Sequence, residues 1–250
     1  MFRCKQFTVA QDHCAMKVNT DSLILGSWVD VGSAESILDV GTGSGILALM
    51  MAQKALPSAR IDAIEIDDGA AMQATSNFEN AKWSRQLSIF HGDICHFAPS
   101  RAYDLVVSNP PYFGEARKNT NAYGNQTKAR NIARQTASLD PNALFSASSA
   151  ALSDGGSMYC LYPSSIKVDV SQIAANCGLY LDRVLHIRHS ARKTPYLCAF
   201  HFNKSSSISC SEKMSELNAM DSKNTLTIRN EAGDYTDEYK SLCQPFYLNF

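Results

Sequence analysis

The 250-residue sequence is short of three things, and each absence narrows what the protein can be. It has no Cys-x-x-Cys pair. Its eight cysteines (Cys4, Cys14, Cys95, Cys160, Cys177, Cys198, Cys210 and Cys243) are scattered, which excludes the common zinc and dithiol redox spacings. Several lie in apolar runs, such as Met158-Tyr159-Cys160-Leu161 and Leu197-Cys198-Ala199, the setting of buried, reduced thiols. No apolar run approaches the ~20 residues that cross a bilayer. Met1-Phe2-Arg3-Cys4-Lys5-Gln6 lacks the apolar centre of a secretion signal, so a cytoplasmic protein is expected. Net charge is also nearly absent, with 23 basic against 24 acidic residues, which excludes a uniformly basic nucleic-acid binder. What is present is 45% hydrophobic and 19% charged residues, the mix of a chain that builds a real core.

No internal repeat is visible. Strand-like segments over 37–40, 60–65, 87–91, 104–107, 157–161, 181–188 and 196–202 alternate with helical stretches over 46–54, 70–81, 141–152 and 165–177. Strands separated by helices imply βαβ units, hence an α/β fold with a largely parallel sheet covered on both faces. Two segments break the rhythm: a polar, basic stretch from Glu115 to Thr136, and a Ser-rich run from Ser205 to Ser211. After the second, Thr225-Leu226-Thr227-Ile228-Arg229 alternates like a strand, and 235–242 reads as a short helix.

The chemistry-bearing residues fall at the ends of successive predicted strands. Asp39-Val40-Gly41-Thr42-Gly43-Ser44-Gly45 follows the first. Its glycines let a ligand approach the backbone, and the helix that follows offers free N–H groups. Its spacing is not the Gly-x-Gly-x-x-Gly of dinucleotide binders, since Ile46 stands where the third glycine is needed. Asp39 there suits a cationic ammonium better than a pyrophosphate. Glu65 ends the second strand, where a carboxylate can accept both hydroxyls of a ribose. Asp93 and Ile94 follow the third, the acid able to accept from an exocyclic amine and the isoleucine to pack on a purine. Ser108-Asn109-Pro110-Pro111-Tyr112 follows the fourth. Asn109 offers an amide oxygen and Pro110 a carbonyl, and the prolines fix the backbone so that both acceptors converge on one –NH2. Tyr112 supplies a ring on which a planar group can stack.

These motifs resemble the class I S-adenosylmethionine-dependent methyltransferases that act on planar amines, over residues 36–203. The segments Phe7 to Asp21, Leu25-Gly26-Ser27-Trp28, Leu226-Thr227-Ile228-Arg229, Gly233-Asp234-Tyr235-Thr236 and Phe246-Tyr247-Leu248 resemble the bacterial tRNA1(Val) adenine-N6 methyltransferase family. Asn19 stands where that pattern has glycine, and asparagine also tolerates the left-handed conformation. The resemblance implies a doubly wound, mostly parallel, seven-stranded Rossmann-like sheet with helices on both faces. It implies an N-terminal extension over 1–35 that contributes to cofactor and RNA sites. The methyltransferase domain would then occupy 36–250, with a Ser-rich loop at about 204–216. It further implies that Asp39, Gly41, Gly43 and Gly45 line the methionine part of S-adenosylmethionine, with Thr20 and Asp21 near its amino-acid end. Glu65 would hold the ribose, and Asp93 and Ile94 the adenine. Asn109, which also borders the cofactor, and Pro110 would grip the target amine, with Pro111 rigid beside them and Tyr112 stacked on the base. The implied protein is a metal-free, membrane-free monomer whose substrate is the anticodon loop of a valine tRNA.

Rival readings share parts of this pattern. A release-factor glutamine methyltransferase uses the same acceptor motif but carries a helical domain before the glycine turn, for which the 40 residues before Gly41 leave little room. A ribosomal-RNA guanine-N2 methyltransferase often ends the motif in Phe, where this chain has Tyr112. A non-catalytic RNA-binding scaffold would have no use for an intact Asn109-Pro110 pair. The near-zero net charge also conceals an uneven distribution. Arg117, Lys118, Lys128, Arg130 and Arg134 follow the acceptor motif, while Arg183, Arg188, Arg192, Lys193 and Lys204 form a second group and Arg3, Lys5 and Lys17 a third. Arg117, Lys118, Lys128, Arg130, Arg134, Arg192 and Lys193 are the candidate RNA contacts, because phosphate binding depends on local field and not on the sum of charge. Arg130→Glu and Arg134→Glu are therefore expected to weaken tRNA binding in filter-binding titrations. Affinities equal to wild type would remove these residues from the interface.

Overall fold

A computed structural model describes residues 1–111, 139–205 and 224–250. Two short strands, β1 (Phe2–Arg3) and β2 (Thr8–Val9), form a small antiparallel ribbon ahead of helix α1 (Thr20–Trp28). The central sheet contains β3 (Ser36–Val40), β4 (Arg60–Glu65), β5 (Leu87–His91), β6 (Tyr103–Ser108), β7 (Leu152–Pro163), β8 (Leu179–Ser190), β9 (Leu197–Lys204) and β10 (Thr225–Arg229). Its order is β10-β8-β9-β7-β6-β3-β4-β5. Every neighbouring pair is parallel except those made by β9, which runs antiparallel to β7 and β8. The helices are α2 (Ile46–Lys54), α3 (Asp68–Glu79), α4 (Pro141–Ala151), α5 (Lys167–Asn176) and α6 (Asp237–Cys243). No helix among the described residues is long and apolar enough to cross a membrane.

Among the described residues the sheet has eight strands where seven are expected. The alternating segment Thr225 to Arg229 adds itself to β8 as a parallel edge strand, burying Leu226 and Ile228. Helix boundaries move where caps dictate. α3 starts at Asp68, two residues before the pattern suggests, because Asp67 accepts from Ala70 N at 2.8 Å. α6 starts at Asp237 because the Thr236 hydroxyl accepts from Tyr239 N.

The strands sort their side chains with period two, as a sheet buried on both faces must. Ile37, Leu105, Val107, Tyr159, Leu161 and Ala199 face one core with α1, α2, α3 and α6. Leu38, Val40, Val106, Met158, Cys160 and Phe200 face the other, with α4 and α5. Helix α2 is buried continuously from Ile46 to Ala52, because the sheet lies on one side of it and α1 on the other. The α1–α2 crossing is close: a Cβ at Gly26 would overlap the Met50 sulfur. Lys54, in the last turn of α2, donates its half-buried ammonium to the carbonyls of Gly26 at 3.2 Å, Ser27 at 3.1 Å and Val29. These are C-terminal carbonyls of α1 that its own backbone leaves without donors. Burial lowers the Lys54 pKa to about 8.

Gly45 illustrates how tightly the turn before α2 is built. Its φ is +83°, and a Cβ there would lie 2.5 Å from Cε1 of Phe78, a ring that is itself only 3% exposed. Gly45→Ala is expected to destabilise the fold by about 1–3 kcal/mol through backbone strain plus overpacking. Chemical denaturation should show a lower midpoint at unchanged m-value.

Candidate active site

The register of the sheet brings the four motifs to one edge. Val40 pairs with Ile64 on one side and Ser108 on the other, and Glu65 pairs with His91. The carboxyl ends of β3, β4, β5 and β6 therefore lie side by side, where open α/β sheets bind their ligands.

The glycine turn is held from two directions. Gly41 N and Thr42 N donate to Ile64 O at 2.9 and 3.1 Å. Glu65 Oε2 accepts from Gly43 N at 2.7 Å, and its Oε1 accepts from Ile66 N and Asp67 N, both at 2.9 Å. A carboxylate offers about four lone-pair sites, so acceptor capacity remains after these three bonds. Asp39 lies behind the turn and is completely buried. Its Oδ2 accepts from Thr42 Oγ1 at 2.5 Å and from Ala48 N, in the first turn of α2, at 3.0 Å. Asp39 is thus a brace for the loop and a cap for the helix. Burial, with the Glu65 charge adding to it, pushes its carboxyl up to about 7 against the opposing hydrogen bonds.

The three glycines differ. Gly41 and Gly43 have φ of +69° and +57°, and a Cβ on either would meet no protein atom within 4 Å, so their backbone borders open space. Gly45 is packed against Phe78 and turned inward. Asp93 caps the short 3-10 turn Ile94–His96, accepting from Cys95 N at 2.9 Å, and this bond holds its carboxyl below the usual range. Ile94 is 6% exposed and packs into the core on the α4 and α5 side.

Asn109 follows β6. Its Nδ2 donates to Ser22 Oγ at 2.9 Å, while its Oδ1 is buried with no hydrogen-bond partner among the described residues. Pro110 is buried and Pro111 half-buried behind it. Tyr112, Arg117, Lys118, Lys128, Arg130 and Arg134 lie outside the described residues. Asn19 makes no use of the left-handed conformation that asparagine tolerates. Its φ and ψ of −130° and 172° are extended, and its side chain caps α1 by accepting from Ser22 N at 2.9 Å. Thr20 and Asp21 open that helix. Asp21 Oδ1 accepts from Tyr196 OH at 2.7 Å, and the Tyr196 ring lies 4.2 Å from that of His189 at 4°.

Tyr196 belongs to the β8–β9 hairpin. Pro163 pairs with Leu197, which pairs with Ile187, so the hairpin turn extends past the level of Ser108. It carries Arg192 and Lys193, both exposed, with Arg192 paired to Glu231 at 2.9 Å. Arg188 donates to Thr227 Oγ1 at 2.8 Å. The rest of that basic group is elsewhere. Arg183 sits lower on the sheet against Asp182, Tyr159 and the Trp28 ring. Lys204 donates to the carbonyls of Ser149 and Leu152 at the amino edge. The N-terminal segment docks across the other side of the turn. Asn77 of α3 accepts from Ala10 N and donates to Ala10 O and Ser44 O, and Gln73 accepts from Asp12 N. Sequence reasoning missed Ser22, Tyr196 and Asn77. Ser22 is reachable only indirectly, since Asn19 just before an apolar stretch is a helix-start residue whose side chain points at the third residue on. The other two carry no signal, because their partners are 175 and 67 residues away.

A mostly parallel sheet with a glycine turn after β3, acids at the ends of the next two strands and an Asn-Pro-Pro motif after β6 defines the class I methyltransferase architecture. Solved structures agree at the level of fold. A predicted O-methyltransferase from Agrobacterium tumefaciens superposes with a TM-score of 0.61 at 16% identity, covering 90% of this chain and 95% of that one. TrmN from Thermus thermophilus gives 0.50 at 17% identity, covering 73% of this chain and 48% of that one. The methyltransferase small domain family model matches residues 8–171. The tRNA1(Val) (adenine(37)-N6)-methyltransferase of Trichodesmium erythraeum (strain IMS101) is 39% identical over 252 residues, spanning 100% of this chain and 98% of the relative. That of Yersinia pestis (strain Pestoides F) is 34% identical over 251 residues, spanning 100% and 94%. The chain belongs to the tRNA1(Val) adenine-N6 methyltransferase family.

The raised Asp39 carboxyl sets a pH dependence. Between about pH 4 and 7 the folded state holds a proton that the unfolded chain has released, so the stability tied to this group is lost as pH rises through 7. Asp39→Asn cannot ionise. The melting temperature of the wild type is therefore expected to fall relative to Asp39→Asn as pH is raised from about 5 to 8. Parallel pH curves for the two proteins would show that Asp39 does not carry the effect.

Proposed function

We propose that this protein transfers a methyl group from S-adenosylmethionine to the exocyclic N6 of the adenine just 3′ of the anticodon in tRNA1(Val). The observation that carries the reading is Asn109: a buried amide oxygen with no partner among the described residues, next to the Pro110 carbonyl, on the same edge as the open Gly41 and Gly43 backbone. That backbone and the remaining acceptor capacity of Glu65 fit a ligand with a ribose and an amino-acid end. Thr20 and Asp21 lie near that end. Asp39 supports the turn from behind, together with Gly45. Glu65 takes the ribose hydroxyls, and Asp93 with Ile94 borders the adenine.

When bound, S-adenosylmethionine supplies an electrophilic methyl group on a sulfonium. The protein's task is to present the nucleophile. The lone pair of an adenine amine is delocalised into the ring, which makes it a poor one. Asn109 Oδ1 and the Pro110 carbonyl each accept one of its N–H bonds, favouring a more pyramidal nitrogen. They also hold it in line, the positioning effect being worth up to ~7–11 kcal/mol. No strong base is needed, because the amine becomes acidic only once methylated. Tyr112 stacks on the base, which has left its own stack to reach the pocket. Anticodon loops offer such easily unstacked bases. Arg117, Lys118, Lys128, Arg130, Arg134, Arg192 and Lys193 contact the RNA backbone, and residues 1–35 contribute to both the cofactor and RNA sites.

The test is methylation of bulk tRNA with labelled S-adenosylmethionine, followed by nucleoside analysis. Label is expected as N6-methyladenosine in one valine tRNA; methylated guanine, or methylated glutamine in a release factor, would overturn the reading. Asn109→Ala is expected to keep cofactor binding in calorimetry while losing at least ~100-fold in turnover, the scale on which a misplaced reactant loses rate. Near wild-type turnover would remove Asn109 from the mechanism.

A further inference from the structure

We infer that Asn19 and Ser22 are positioning residues that fix which way round the Asn109 amide sits. The inference rests on the reading that Asn109 Oδ1 receives the target amine. The argument begins at a group whose role is unambiguous: the backbone N–H of Ser22 can only donate. It lies 2.9 Å from the Asn19 side chain, so the atom there is an acceptor, Oδ1. The Ser22 hydroxyl is 3.1 Å from the same oxygen and must therefore spend its one proton on it. That leaves only lone pairs on Ser22 Oγ. The group that reaches it from Asn109 at 2.9 Å must then be the Nδ2 amine, and the Asn109 oxygen is forced to the opposite side.

An amide's two ends are nearly equal in shape but opposite in hydrogen-bonding sense. With the amide reversed, Nδ2–H would face the N–H of the target amine, donor against donor, and the nucleophile would not be held. Ser22 is only 7% exposed, so little water competes for its lone pairs. The relay starts at the N-cap of α1, where Asn19 is already extended and fixed by the helix it caps. The orientation of the acceptor is therefore set by the start of a helix 87 residues earlier in the chain.

The test compares Ser22→Ala, Asn19→Ala and Asn19→Asp with wild type and with Asn109→Ala. Single-turnover methylation, S-adenosylmethionine affinity, melting temperature and the side-chain amide resonances of Asn109 are recorded for each. Ser22→Ala is expected to lower the methylation rate about 10-fold, the loss of one hydrogen bond that orients a reacting group, with cofactor affinity within about twofold of wild type. Its Asn109 Nδ2 proton resonances should move. Asn19→Ala should act in the same direction, and Asn19→Asp, which keeps the acceptor oxygen, should restore rate and resonances together.

A Ser22→Ala protein that methylates at the wild-type rate with unmoved Asn109 resonances would overturn the inference. So would an Asn19→Ala protein that melts lower, as loss of a cap alone requires, yet leaves the Asn109 resonances in place. If Ser22→Ala does not fold, the Asn19 pair decides. Asn109→Ala separates the two levels. If it remains active, the reading of the site falls and the relay with it. If it is inactive while the Ser22 and Asn19 variants are fully active, only the relay falls.

Discussion

The turn between β3 and α2 contains three glycines in the left-handed region within five residues, and such a segment has more conformational freedom to lose on folding than any other. What holds it is a carboxylate that never reaches solvent. Asp39 grips the Thr42 hydroxyl and the Ala48 amide from behind, joining the strand, the loop and the first turn of the helix into one unit. Glu65 does the same from the next strand, through Gly43. With both acids in place, the N–H groups of the turn are fixed in direction before any ligand arrives, so little ordering is left for binding to accomplish. The arrangement requires a carboxyl group wholly out of water, and that burial, with the nearby Glu65 charge adding to it, is why Asp39 resists ionisation.

Helix α1 is the second organising element. At its start, Ser22 meets the acceptor motif and Asp21 meets the β8–β9 hairpin. At its end, the Lys54 ammonium takes up carbonyls that the helix leaves open. Between them, Gly26 lets it lie close on α2. The helix therefore acts as a strut whose two ends are each held by side chains of other elements. The hairpin that carries Arg192 and Lys193 is attached to that strut through Tyr196.

Much of this was readable in the residues. The parallel sheet follows from apolar runs and helix periods, and β4 and α2 fall at the expected residues. The four strand-end motifs do share one edge, because in a parallel sheet consecutive strand ends must. The resemblance to the methyltransferase family, drawn from the same motifs, holds over the full chain. What escaped was direction and distance. Nothing in the sequence distinguishes Gly45, packed on a ring, from Gly41 and Gly43 facing outward. Asn19 looked like a tolerated left-handed residue and is an extended cap. The basic cluster spread over β8 and β9 looked like one surface. A strand alternates its faces and a hairpin reverses direction, so Arg183 and Lys204 end up away from Arg192 and Lys193. The eighth strand follows the Ser-rich segment, and its alternation alone did not say which edge it would join.

The bonds that complete the site join distant parts of the chain. Asn109 to Ser22 spans 87 residues, and Tyr196 to Asp21 spans 175. The Lys5 ammonium meets the carbonyls of Gln244 and Phe250, residues 239 and 245 positions on. Such loops close late, since their entropy must be lost before the contacts return anything. The α2 turn is local and forms early, with the strands beside it. The Asn109 amide, by contrast, meets its Ser22 partner only once β6 and α1 are both in place. On a ribosome the Asn109 side chain is therefore expected to find its orientation only after the glycine turn has formed.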